Sequence, residues 1–89
     1  MPYIKKERRD ELIKYYPEGM SINTRNIVGP GELNFAITSL VLDVIMSNQL
    51  SYKDINDVMG ALECAKLEFY RRVAAPYENK KKEENGDVY

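Results

Sequence analysis

Apolar residues recur at helical spacing through most of this chain. A charged run from Lys5 closes on Leu12, Ile13, Tyr15 and Tyr16, which predicts a first helix over residues 5–16, stopped by Pro17. Residues 17–30 are dense in breakers (Pro17, Gly19, Asn23, Asn26, Gly29, Pro30) and predict a connection. Met20, Ile22, Ile27 and Val28 lie inside it, so the connection is expected to pack down. A structureless stretch of that length in a small domain also marks itself as a candidate for function.

A second helix is predicted over residues 31–48. Leu33, Ile37, Leu40, Val41, Val44 and Ile45 recur at helical spacing, and Phe35, Leu42 and Met46 fill much of the rest of the circumference. A helix that is apolar nearly all round is expected to be buried nearly all round. A three-helix monomer does not easily cover it, which points to a homo-oligomer.

A third helix is predicted over residues 52–75. Ser51-Tyr-Lys-Asp54 has the form of a capping box, and Pro76 supplies the stop. Ile55, Val58, Met59, Leu62, Ala65, Phe69 and Val73 form one stripe, while Gly60, Ala61 and Cys64 suggest a small-residue face for close helix approach. No strand-like alternation stands out. The fold expected is all-α: a three-helix domain over residues 1–76, packed as a homo-oligomer, with a polar C-terminal tail over residues 77–89.

Length and composition narrow the function. With 89 residues, the chain is one small domain that buries roughly 60–65% of its unfolded surface. Thirteen Lys and Arg stand against 14 Asp and Glu, with none of the basic excess of a duplex-DNA binder. The chain has no His, no Trp and one Cys. This excludes His-based general-base catalysis, Ser-His-Asp and Cys-His nucleophiles, Cys/His zinc sites and an internal disulfide. Cys64 reads as a half-buried small hydrophobe. The charged N-terminal run does not resemble a secretory signal. The longest mainly apolar stretch, Leu33–Met46, is short for a membrane span and holds Asn34 and Asp43. A cytoplasmic protein without membrane contact is expected.

Four segments carry a resemblance: Gly31-Glu-Leu-Asn-Phe-Ala-Ile-Thr38, Tyr52-Lys-Asp-Ile-Asn-Asp-Val-Met-Gly-Ala-Leu-Glu63, Lys66-Leu-Glu-Phe-Tyr-Arg-Arg-Val73 and Glu84-Asn-Gly-Asp-Val-Tyr89. Together the chain resembles a family of small uncharacterised all-helical proteins from tailed phages and bacteria. The resemblance implies a phage accessory setting and brings no activity assigned to particular residues. Small phage proteins of this size include inhibitors of host defence, some of which sequester nucleotide signals; that step is analogy of context.

Candidate chemistry gathers at Tyr70, Arg71 and Arg72. An aromatic face beside guanidinium groups suits a nucleobase and its phosphates. Arg8 and Arg9 can add cations, and Tyr3, Tyr15, Tyr16, Tyr52 and Tyr77 add rings. The competing reading pairs Arg71 or Arg72 with Glu68 or Asp43. The glycine-rich start of the second helix, Val28-Gly-Pro-Gly-Glu-Leu-Asn34, can hold an anion, unless Glu32 already occupies that positive helix end. Asp54 and Asp57 share a face but lack the paired acidic motifs of an all-α Mg²⁺-dependent pyrophosphohydrolase, and Glu63 and Glu68 have cations at helical spacing. Lys80–Lys82 are offset by Glu83, Glu84 and Asp87.

The expected function is therefore non-enzymatic: a phage-type anti-defence sponge that binds and sequesters a nucleotide signal. No catalytic residue, metal or cofactor is assigned. Its partners are other copies of itself, the nucleotide and a host protein. The alternatives are a protein-interaction module without a small ligand and, third, the Mg²⁺-dependent hydrolase.

Overall fold

The computed structural model describes residues 4–45 and 50–89, in two compact units, Met1–Leu50 and Ser51–Tyr89. The first opens with α1 (Lys6–Leu12) and continues as an antiparallel hairpin of β1 (Ile13–Tyr16) and β2 (Gly19–Ile22). A 3-10 turn over Thr24–Asn26 leads into α2 (Gly29–Ile45).

The hairpin overturns the all-α expectation, and with it the first helix over 5–16. Helix α1 stops where Ile13 turns to extended backbone (φ −132°, ψ 130°), its N–H still bonded to the Arg9 carbonyl. Seven helical residues gain little by themselves. Ile13, Tyr15 and Tyr16 are strand-favouring side chains, and pairing with β2 secures them. Ile13 faces Ile22 and Tyr16 faces Gly19, leaving Pro17-Glu18 as a two-residue corner. Pro17 presets the first corner, and Gly19 adopts φ 142°, which L side chains rarely take. The breakers of 17–19 thus make a hairpin turn rather than open a long loop. Beyond the ladder, the Asn23 N–H donates to the Leu12 carbonyl (2.8 Å).

α1 packs on β1 and α2 on β2. Among the described residues, the buried side chains of this unit are Leu12, Ile13, Ala36 and Ser39. α2 therefore buries its small-residue edge, whereas Leu33, Ile37, Leu40 and Leu42 are exposed. The burial expected on nearly all sides of this helix is not observed, and residues 46–48 of its expected span lie outside the described residues.

The second unit is one continuous helix with a change of pitch. α3 (Tyr52–Phe69) passes into a π-helical turn (Tyr70–Ala74) and then α4 (Ala75–Asn85). Ser51 caps α3: its Oγ accepts from the Asp54 N–H (3.2 Å) and lies 3.1 Å from Asp54 Oδ2. Pro76 does not end the helix. A proline ring clashes with the carbonyl four residues back, here that of Arg72. The wide turn relieves this, with the Ala75 N–H bonded five residues back to Tyr70. Most of the expected tail is consequently helical. α4 has almost no apolar face, but Lys81 lies over the Tyr77 ring (5.6 Å) and 3.3 Å from Glu84. Gly86 (φ 84°) ends it by donating its N–H to the Lys82 carbonyl (2.8 Å).

Gly60 does not mediate the close approach expected of it: among the described residues, no atom beyond its own chain neighbours and the surrounding helix backbone lies within 4 Å of where its Cβ would stand. Gly60→Ala should therefore stabilise the helix by up to about 1 kcal/mol, read as a raised Tm.

Candidate functional site

Tyr70, Arg71 and Arg72 lie in the π-helical turn. Both guanidinium groups reach back one turn to the same Glu68 oxygen, Arg71 through Nη2 and Arg72 through Nε at 2.6 Å. Arg72 first and Arg71 second hold the Glu68 carboxyl below the ordinary range. The Glu78 carboxylate beside Tyr70 pushes its phenol pKa up. The pairing with Glu68 anticipated as the competing reading is thus what the structure contains. Two cations on one carboxylate still leave positive charge beside an aromatic ring. Both guanidiniums are exposed, where pairs of this kind are weak.

The first unit treats its two arginines differently. Arg8 is fully engaged. Its Nε and Nη2 form a fork on Glu32 (2.8 and 2.9 Å), Nη1 meets Glu11 (2.8 Å), and Nη2 also donates to the Asn26 carbonyl. Glu32 in addition accepts the Val28 N–H (2.8 Å). Its carboxyl is held low by Arg8 first and by this backbone donor second, and the same contacts push Arg8 further up. Glu32 is therefore the occupant of the glycine-rich start of α2. Arg8 clamps α1 to that start and is not an open ligand site.

Arg9, on the neighbouring face of α1, is open. It borders a surface depression of about 320 Å³ with Lys6, Asp10, Ile13, Tyr15 and Phe35. Lys6 and Arg9 form no ion pair among the described residues. Three elements build this place. Lys6 and Arg9 are one helical turn apart on α1, Tyr15 comes from β1, and Phe35 from α2. Arg9 and the Tyr15 ring are candidates from the sequence, but their meeting is not, nor are Lys6 and Phe35, the latter expected in the core. Only the i, i+3 spacing of Lys6 and Arg9 signalled the site.

The second unit has a larger depression of about 430 Å³, whose lining includes Tyr77, Lys81, Lys82 and Tyr89. Its lysines are already paired, Lys81 with Glu84 and Lys82 with Asp87 (3.1 Å). Tyr89 and Val88 project into solvent. Lys53 takes up Asp57 (2.8 Å) and Lys66 takes up Glu63 (3.1 Å). Among the described residues, no three His, Cys, Asp or Glu side chains converge. Cys64 is exposed rather than half-buried. No described helix is long and apolar enough to cross a membrane.

The family described as Domain of unknown function (DUF6899) matches residues 1–88. No curated protein and no solved structure matches the chain.

Proposed function

The chain belongs to the DUF6899 family, and we propose that this member binds and holds a nucleotide-type ligand without converting it. The depression bounded by Lys6, Arg9, Tyr15 and Phe35 carries the reading. Two cations with no ion pair among the described residues stand beside two aromatic rings. A base stacks on a ring, a guanidinium forks onto phosphate oxygens, and an ammonium adds a point charge. Tyr70, Arg71 and Arg72 are a second, weaker candidate, because a phosphate there has to displace Glu68.

In its sharper form this protein is a phage accessory factor acting in the host cytoplasm as a sponge for a cyclic oligonucleotide or an ADP-ribose derivative. The resemblance over residues 31–38, 52–63, 66–73 and 84–89 supports that setting. A sponge needs affinity and no turnover, and a chain without His offers few general bases near neutral pH.

A thermal-shift panel of cyclic di- and trinucleotides, ADP-ribose derivatives and nucleoside triphosphates, with and without Mg²⁺, tests the reading. A ligand at 100 times its Kd adds about 2.7 kcal/mol, several degrees for a small domain. One nucleotide class should raise Tm and be recovered intact. Lys6→Ala and Arg9→Ala should each remove most of the shift, and Arg71→Ala little of it. Turnover of the ligand would refute the proposal, and a flat panel would favour a second reading. That reading is a protein-docking module, supported by the exposed Leu33, Ile37, Leu40 and Leu42 of α2.

A further inference from the structure

α3 and the π-helical turn after it carry an apolar stripe at alternating four- and three-residue steps: Ile55, Met59, Leu62, then Phe69 and Val73 after the Lys66 position, with Val58 and Ala65 alongside. All five of the first-named side chains are exposed, and α3 has no buried residue. Its own unit contains only the continuation of the same helix, so nothing in that unit faces the stripe. A long amphipathic helix draws most of its stability in water from packing on that face. The four- and three-residue rhythm is that of helices paired along a seam.

We propose that the occupant of this stripe is the same stripe of a second copy, running antiparallel. Charge selects both the partner and the direction. Lys53 pairs with Asp57 and Arg71 with Glu68 on the outer face, so neither pair counts at the seam. At the seam itself the segment from Ser51 to Gly60 has Asp54, one net negative charge, and the segment from Ala61 to Val73 has Lys66 and Arg72 against Glu63, one net positive charge. Parallel pairing puts like against like. Antiparallel pairing puts the Asp54 turn of one copy beside the Lys66–Arg72 turns of the other.

The register follows from the stripe. Leu62 lies midway between Ile55 and Phe69. With Leu62 on the two-fold axis, Leu62 meets Leu62 and each Ile55 meets Phe69. Gly60, Cys64 and Arg71 then lie on the outer face, away from the seam.

Cysteine cross-linking of the full chain in a Cys64→Ser background tests pairing and direction together. Leu62→Cys should form a disulfide dimer under mild oxidation. Ile55→Cys and Phe69→Cys should each fail alone and cross-link when mixed. Self-linking of Ile55→Cys would overturn the antiparallel register. Light scattering of the unmodified chain should give a mass that is an even multiple of 10.3 kDa. Leu62→Glu, which sets two carboxylates face to face, should weaken the pair at least 100-fold, whereas Gly60→Ala leaves it intact. A monomer at high micromolar concentration would overturn the proposal and leave the ligand reading of the first unit standing.

Discussion

Leu12→Ala should unfold much of the first unit. Among the described residues, Leu12 is the one large side chain that is completely buried. It ends α1, and its carbonyl receives the Asn23 N–H beyond the hairpin ladder, so it joins two elements through side chain and backbone. Truncating a buried leucine costs about 2–5 kcal/mol, with the higher values where neighbours cannot collapse into the space. The other buried side chains here are Ile13, Ala36 and Ser39, and the last two are too small to refill it. Small units begin with few kcal/mol in hand. The variant should lose most amide protection across α1, the hairpin and the start of α2, with the Asn23 amide the most sensitive. A loss under about 1 kcal/mol in denaturant melts would show that the core lies elsewhere.

That core explains what could and could not be read from the sequence. Helices α2 and α3 announce themselves through periodicity, and the Ser51 cap through its spacing from Asp54. The Glu63–Lys66 and Glu68–Arg71/Arg72 pairs follow from helical neighbourhood alone. The strands were hidden. Leu12, Ile13, Tyr15 and Tyr16 fit a helical face as well as a strand, and the choice between them is made by residues 19–22 across the turn. A pairing partner is a tertiary fact that local spacing does not carry. Pro76 misled for a related reason: a proline forbids the ordinary α-turn before it, yet a wider turn lets the helix continue. The tail was misjudged because apolar periodicity is silent where a helix rests on Lys and Glu pairs.

The candidate site divides along the same line. Arg71, Arg72 and Glu68 sit on one helix, so their pairing was accessible from spacing. Lys6, Arg9, Tyr15 and Phe35 come from α1, β1 and α2 and meet only because the chain leaves the helix at Ile13 and continues as β1. A continuous helix to Tyr16 would have separated them. The hairpin, which the sequence concealed, is therefore what assembles the depression to which a ligand is assigned.

Breaking the Arg8–Glu32 clamp is the second change expected to disturb this unit strongly, with an acid-dependent signature. Five hydrogen bonds converge on the two side chains, tying α1, the 3-10 turn and the start of α2 together. Arg8 stays charged throughout the accessible range, so the pH dependence belongs to Glu32. Its folded carboxyl lies below the ordinary value, through Arg8 first and the Val28 N–H second. In the interval between, the unfolded chain binds the proton and the folded chain does not, so stability rises with pH there. The contribution is complete above the ordinary carboxyl pKa and is lost as pH falls through the lower folded value. Glu68 has the same sign in the second unit, so the measurement has to be local: amide exchange at Val28 and along α1, from neutral pH into acid. Wild type should lose protection steeply on the acid side of pH 4.5. Glu32→Gln should be less protected at neutral pH and nearly flat with acid. Arg8→Ala should match that neutral loss, and the double variant should add little, because each single change already breaks the fork. Arg8→Lys should not restore it, since an ammonium cannot span two carboxylate oxygens and reach the Asn26 carbonyl and Glu11 as well. Both losses should exceed that from Lys53→Ala, whose exposed pair with Asp57 joins only neighbours on one helix. Additive single losses would mean that the two residues act separately and that α1 is held to α2 by the hairpin core alone.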